Sequence, residues 1–277
     1  MMLRSLLFVP GDRPDRMVKA ASTSGADALI LDLEDSVAPE CKDKARADIA
    51  NFLAEPRILP LFVRINPIDS GLAEADLKAI LSANPDGVVL PKSEGAATVR
   101  RVLDWTDLPI LPIATETPAA VFALGSYSEV ADQLFGLTWG AEDLPAAIGA
   151  TTSREPDGSY TAPYQLARSL TLFGAHAAGI PAIETVYPDF RDLDGLRLYA
   201  ERGYRDGFTG MMAIHPVQVA VINAAFTPSE AQVAHARSVV AAFAANPGAG
   251  ALQLDGRMID APHLKAAQRL LGRVKRG

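Results

Sequence analysis

The 277 residues include a single cysteine, Cys41. That excludes a disulfide within the chain and a thiolate cage for a soft metal. Histidine is almost as scarce: His176, His215, His235 and His263 are the four, and they show no ligand spacing. An imidazole metal site is therefore not expected. Positive charge is in deficit, with 26 Lys and Arg against 33 Asp and Glu, a formal net charge of −7. A field of that sign repels a polyanion, so nucleic-acid binding is not expected. Cations gathered at one place could still hold a small anion. Long apolar runs are missing as well. The stretch from Met1 to Pro10 is apolar but too short to span a membrane. It lacks a small-residue cleavage site, and Pro10-Gly11-Asp12 ends it abruptly. It reads as a first strand, and the chain as cytoplasmic with no membrane partner.

What is present is a normal globular balance, 49% hydrophobic and 21% charged, enough for a sizeable core. Short apolar runs alternate with amphipathic stretches along most of the chain. Strands are expected over Ser5–Val9, Ala28–Leu33, Leu61–Ile65, Gly87–Leu90, Ile110–Ala114, Leu134–Trp139, Ile180–Ile183 and Met211–Ile214. Helices are expected between them, over Pro14–Ala21, Lys42–Leu53, Leu72–Leu81, Ala96–Trp105, Ala119–Leu124, Tyr164–Ala178, Leu193–Gly203 and Val217–Ala225. Each strand run is apolar on both faces and bounded by turn residues, the pattern of parallel strands covered on both sides. Eight such alternations predict a (β/α)8 barrel over residues 1–225. An open, doubly wound sheet is the alternative.

The remainder, residues 226–277, breaks the alternation. Ser229–Ala244 reads as a capped helix, Asn246–Gly250 as a flexible joint, Ala251–Asp260 as short and mixed, and Pro262–Lys275 as a helix with a basic end. This predicts a C-terminal helical arm or lid belonging to the same structural unit, packed on a neighbouring subunit or capping the barrel.

In a (β/α)8 barrel, catalytic groups sit at the C-terminal ends of the strands. Those ends carry Asp12 and Arg13, then Asp32, Glu34 and Asp35, then Arg64 and Asn66, Lys92, Glu116, Glu142 and Asp143, and His215. Glu116 and Asp143 follow neighbouring strands, and two carboxylates completed by water and substrate oxygens suit Mg²⁺. The plainer possibility is that each acid merely begins the next helix. Arg64 stands inside an apolar strand and needs a partner, because a lone buried charge is costly. Glu34 or Asp35 could pair with it, or its fork could clamp a substrate carboxylate. Lys92 closes the fourth strand, where a lysine could contact an anionic substrate or form a Schiff base.

Eight segments occur in a telling order. They are Ser5-Leu6-Leu7-Phe8-Val9-Pro10-Gly11-Asp12-Arg13-Pro14, Leu31-Asp32-Leu33-Glu34-Asp35-Ser36-Val37, Val63-Arg64-Ile65-Asn66-Pro67, Val89-Leu90-Pro91-Lys92, Thr115-Glu116-Thr117, Gly140-Ala141-Glu142-Asp143-Leu144, Ala213-Ile214-His215-Pro216 and Asp255-Gly256-Arg257-Met258-Ile259-Asp260. Together they resemble the citrate lyase β-subunit-like proteins of the aldolase/citrate lyase family, from Leu3 to about Gln268. The resemblance implies a homo-oligomeric barrel, a trimer or a multiple of one. It would cleave or form 3-hydroxy acyl-CoA thioesters such as citryl-, malyl- or citramalyl-CoA with Mg²⁺. It implies Glu116 and Asp143 as metal ligands, Arg64 as the substrate-carboxylate clamp, and Glu116 also against substrate. Glu34 and Asp35 match acids that hold metal-bound waters. Asp260 matches an aspartate on the arm and is the candidate acid or base. Arg13, Arg16, Lys19 and Lys92 are candidate contacts for coenzyme A. The partners implied are an acyl-CoA and an oxo-acid. Pro118-Ala119-Ala120 departs from the small and basic residues followed by glycine that many relatives carry there. Two rival readings are a metal-free Schiff-base aldolase using Lys92 and a non-catalytic subunit of a larger lyase complex.

Overall fold

The computed structural model describes residues 3–274. Met1, Met2 and Lys275, which the expected first strand and last helix touch, lie outside the described residues. The chain divides into two compact units, Leu3–Ala224 and the segment from Ala225 onward.

The first unit holds eight parallel strands in the order β5-β4-β3-β2-β1-β8-β7-β6. They are β1 Ser5–Pro10, β2 Ala28–Asp32, β3 Leu61–Arg64, β4 Gly87–Leu90, β5 Ile110–Pro112, β6 Leu137–Thr138, β7 Ala182–Glu184 and β8 Gly210–Ala213. The sheet closes between β5 and β6 through bridges at Ile110–Leu134 and Ile113–Thr138. Phe135 N donates to Ile110 O at 2.9 Å and Ala114 N to Thr138 O at 2.9 Å across that seam. This is the expected (β/α)8 barrel. The fifth and sixth strands are shorter than the apolar runs predicted, because only isolated bridges join them at the seam.

Helices α1 Pro14–Thr23, α2 Lys42–Ala54, α3 Ala73–Ile80, α4 Ala96–Leu103, α5 Pro118–Ala123, α6 Asp143–Ile148, α7 Ala162–Ala178, α8 Leu193–Asp206 and α9 Pro216–Ala225 connect the strands. Alternate strand residues point inward. Leu6, Ala28, Ile30, Phe62, Val89, Leu111, Ile183 and Met212 form one buried cluster. Leu7, Leu29, Leu31 and Val63, of the opposite parity, are also buried. Burial on both faces explains why the strands read as continuous apolar runs. Each such side chain stabilises the fold by roughly 1.5–3 kcal/mol.

In the second unit, α10 Glu230–Ala245 opens on a reciprocal cap. Ser229 Oγ accepts from Gln232 N at 3.2 Å, and Gln232 Oε1 from Ser229 N at 2.8 Å. Residues 251–260 are not mixed structure but an antiparallel hairpin, β9 Ala251–Leu254 and β10 Arg257–Asp260. Its two-residue turn is Asp255-Gly256, with φ of 49° and 76°, the left-handed pair that such a tight hairpin requires. Helix α11, Ala261–Val274, follows. Ala236, Val239, Ile259 and Ala267, from α10, β10 and α11, form the buried core of this unit. No described helix is long and apolar enough to cross a membrane.

Candidate active site at the C-terminal ends of the strands

The inward parity that buries Ala28 and Ile30 also carries Asp32 inward, and the parity that buries Phe62 carries Arg64. The two are register partners on adjacent strands. Arg64 Nε and Nη2 donate to Asp32 Oδ1 and Oδ2, each at 2.7 Å. Asp32 also accepts from Glu34 N at 2.9 Å and Ser36 N at 3.1 Å. Burial alone would raise the Asp32 carboxyl, but Arg64 and these N–H groups hold it below its ordinary value. Burial likewise opposes the Arg64 charge, and the bond to Asp32 with the neighbouring acids outweighs it.

The expected partners of Arg64 are present in a lesser role. Its Nη1 lies 2.9 Å from Glu34 Oε2, an ion contact without hydrogen-bond alignment, and 3.3 Å from the exposed Asp35. The main partner is Asp32, which the sequence offers only as one strand-end acid among several; its even spacing after Ala28 and Ile30 is the signal that marks it.

Lys92 links this corner to the next. Its ammonium donates to Glu34 Oε1 at 2.9 Å and lies 3.4 Å from Asp143 Oδ1. Burial works against the Lys92 charge, but Glu34, Glu116 and Asp143 raise it above the ordinary lysine value. Its backbone adopts a left-handed φ of 49°, a conformation that costs an L-residue about 1–2 kcal/mol. In that conformation Lys92 N donates to Glu116 Oε2 at 2.5 Å.

Glu116 is 4% exposed. Thr117 caps α5 by accepting from Ala120 N at 3.1 Å, and Pro118 occupies the first turn, which fixes the backbone just after Glu116. Gly140 makes room for the side chain, since a Cβ there would lie 2.6 Å from Glu116 Cγ. No ion pair reaches Glu116 among the described residues. Burial therefore pushes its carboxyl up to about 8; the Lys92 N–H opposes the shift, while Glu34 and Asp143 add to it. Asp143 is the first residue of α6, a place where the helix dipole favours an acid.

Asp32, Arg64, Glu116 and Asp143 line one cavity of about 380 Å³, together with Phe8, Asp35 and Met212, while Glu34 and Lys92 stand behind its lining. A buried carboxylate without a cation, beside a second carboxylate, with all-oxygen donors, fits a hard divalent ion. Glu116 and Asp143 are the residues that could hold it. Arg13 is not drawn into the cavity lining; its fork is closed on Asp15 at 3.0 and 2.9 Å. Arg16 and Lys19 are exposed on α1. Asp260 ends β10 in the other unit, where His263 Nδ1 lies 2.6 Å from its carboxylate and holds it below the ordinary value.

A second buried cluster lies outside every motif of the sequence. Glu184, at the end of β7, accepts from Trp139 Nε1 at 2.5 Å, Tyr199 OH at 2.9 Å and Arg168 Nε at 2.7 Å. Arg168 also donates to Asp206 at 2.8 Å. This cluster braces the strand end that delivers Thr185 to the cavity.

The model of the HpcH/HpaI aldolase/citrate lyase family matches residues 4–216, which span the barrel and the strand ends that carry these groups. The chain belongs to that family. It is 37% identical over 268 residues to a citrate lyase subunit beta-like protein of Mycobacterium tuberculosis, covering 97% of this chain and 94% of that one. It is 35% identical to a mitochondrial citramalyl-CoA lyase of Rattus norvegicus, covering 97% and 85%. Among solved structures, the protein CitE of Mycobacterium tuberculosis in complex with magnesium, acetoacetate and coenzyme A is similar, with a TM-score of 0.85, 36% identity and 98% coverage of both chains.

Proposed function

We propose that the chain is a Mg²⁺-dependent carbon–carbon lyase that cleaves or forms a 3-hydroxy acyl-CoA thioester, of the citryl, malyl or citramalyl kind. The observation that carries this is Glu116, a buried carboxylate left without a cation in the same cavity as Asp143. The likeness to a citramalyl-CoA lyase and to a structure holding magnesium and coenzyme A supports the same reading.

In the cleavage direction, the hydroxyl loses its proton and the bond between the carbinol carbon and the thioester α-carbon breaks. The electron pair passes to the thioester as an enolate, which is then protonated. Bound Mg²⁺ supplies Lewis acidity toward the hydroxyl and carboxylate oxygens of the oxo-acid half. Arg64 meets the substrate carboxylate through its Nη1 side, because Asp32 occupies the Nε–Nη2 edge. Asp35, exposed and 3.3 Å away, yields that position. Glu34 fixes Arg64 and Lys92 and, with Asp35, orients water near the carboxylate pair. Asp260 is the candidate for the acid or the base, the role that the family resemblance implies for it. Lys92 is an anion contact in this scheme. A Schiff base needs a neutral amine, and the pairing with Glu34 keeps Lys92 protonated. The same proposal has the protein work as a homo-oligomer in the cytoplasm.

Calorimetric titration with Mg²⁺ tests the metal site. Asp143→Ala is expected to weaken binding at least about 100-fold, in the range seen when a direct ligand or its support is lost. Wild-type affinity in that variant would sink the assignment. A panel of 3-hydroxy acyl-CoA thioesters assayed with Mg²⁺ identifies the substrate, and inertness on the whole panel counts against the lyase reading.

A further inference from the structure

Lys42 is the first residue of α2. A helix start favours acids and disfavours cations, because its free N–H groups carry positive partial charge. The 3₁₀ turn Pro39–Cys41 leads into α2 and the Lys42 N–H is bonded to Pro39 O, so the helix dipole does not account for the lysine and its role lies in its side-chain bonds. What it serves is visible in its bonds. An ammonium has three donors, and all three are used on neutral oxygens. Nζ lies 2.6 Å from Leu33 O, 2.8 Å from Glu34 O and 2.9 Å from Asn66 Oδ1.

The turn after β2 is thus held from both sides. Its N–H groups at Glu34 and Ser36 point to the Asp32 carboxylate. Its carbonyls at Leu33 and Glu34 point to Lys42. With both sets of backbone groups committed, the turn has one conformation, and in it the Glu34 carboxylate reaches Arg64 and Lys92. The anchor behind Lys42 is itself rigid. Asn66 Nδ2 donates to Leu33 O at 3.0 Å and to the buried Asp76 at 2.7 Å. Arg46, one helical turn after Lys42, donates to Asp76 at 2.8 Å. Residues i and i+4 share a helix face, so α2 presents Lys42 to the turn after β2 and to Asn66, and Arg46 to Asp76 of α3.

We propose that Lys42 is a positioning residue for Glu34 and, through the Glu34–Lys92 pair, for the Glu116 and Asp143 corner of the cavity. This rests on the metal-site reading above. Lys42 touches neither metal nor substrate in this scheme. Without it the carbonyls of Leu33 and Glu34 lose an ammonium that no neutral side chain replaces, the turn loosens, and Lys92 loses a fixed partner.

The test is Mg²⁺ titration of the full chain, with thermal melting in parallel. Lys42→Met is expected to bind Mg²⁺ about 10-fold more weakly, the lower end of what loss of a supporting partner costs. It should still melt cooperatively. Rescue separates positioning from general destabilisation. Cys41 is the only cysteine, so a Cys41→Ser, Lys42→Cys protein can be alkylated selectively with 2-bromoethylamine. That restores an ammonium at nearly the lysine reach, and Mg²⁺ affinity should return to within about twofold of the Cys41→Ser parent, because the lost bonds are remade. A Lys42→Met protein that melts lower yet binds Mg²⁺ like wild type overturns the proposal, as does an alkylated protein that stays weak. Wild-type protein that binds no Mg²⁺ overturns the metal-site reading first, and this one with it.

Discussion

The two halves of the cavity rim are built to opposite electrostatic rules. At the ends of β2 and β3, every buried charge has a partner: Asp32 and Arg64 are joined by two 2.7 Å bonds, and Glu34 adjoins both Arg64 and Lys92. At the ends of β5 and β6, Glu116 is as deeply buried but meets only a backbone N–H. The first half is complete without a ligand. The second carries a carboxylate with no ion pair among the described residues, whose burial Lys92 offsets only in part. Removing charge should therefore have opposite consequences on the two sides.

The largest effect is expected from Arg64→Ala. It leaves Asp32, 1% exposed, as a buried carboxylate without its cation, which costs about 3–5 kcal/mol. Urea unfolding at neutral pH measures this, and a loss under about 1 kcal/mol, the range of an exposed pair, would mean that water reaches the pair. Arg64→Lys is the finer probe. It keeps the charge but loses the planar fork, so kcat/KM should fall in a protein that remains folded. Unchanged kcat/KM would make Arg64 a structural residue only.

Glu116→Gln should act in the other direction on the metal-free protein. The folded value is about 8 against an ordinary 4.5. Between these values the folded state holds a proton that the unfolded state has released. Its contribution to stability is therefore full below pH 4.5 and is lost as pH rises through 8, by roughly 5 kcal/mol in all. Glu116→Gln removes that dependence. The variant should match wild type near pH 5, exceed it near pH 9, and bind Mg²⁺ far more weakly. Wild-type Mg²⁺ binding should release a proton below pH 8 and tighten as pH rises. Equal melting of the two metal-free proteins at pH 9 would show that Glu116 is already compensated.

This contrast was only partly legible in the sequence. The barrel was readable because short apolar runs bounded by turn residues have few other folds open to them, and the strand-end acids followed from that frame. Asp32 was legible in principle, since it continues the spacing of Ala28 and Ile30, but choosing it over Glu34 as the partner of Arg64 needed the β2–β3 register. The hairpin of the second unit was legible too, from Asp255-Gly256 between two short runs, but those runs lack a clear alternation. The Glu184 cluster was not legible. Trp139, Arg168 and Tyr199 come from three different elements, β6's end, α7 and α8, and only the closed barrel brings them onto one carboxylate. The missing partner of Glu116 is likewise a property of the assembled site, because no local pattern records what fails to arrive.

The gentlest way to test the second half is to leave its charges alone and take away its room. Gly140 has no unusual φ, so a side chain is not barred by the backbone. What bars it is Glu116: a Cβ at 140 would sit 2.6 Å from Glu116 Cγ, 3.1 Å from its Oε1 and 3.1 Å from Ile113 Cγ2. Ile113 belongs to the barrel core, and the ends of β5 and β6 are tied together by Thr115, whose Oγ1 bonds Gly140 O at 3.1 Å and accepts from Gly140 N at 3.2 Å. The backbone therefore cannot easily retreat, and Glu116 must turn aside. Gly140→Ala is expected to cost about 1–3 kcal/mol in stability, the usual range for overpacking. It should also weaken Mg²⁺ binding while the Arg64–Asp32 pair stays intact. The discriminating measurement is a double variant. If the alanine acts by displacing Glu116, then adding Gly140→Ala to Glu116→Gln should leave residual metal binding unchanged, because the displaced ligand has already been neutralised. A further, independent loss of affinity in the double variant would mean that Gly140 matters to the Asp143 side as well, and that the carboxylate pair moves as one.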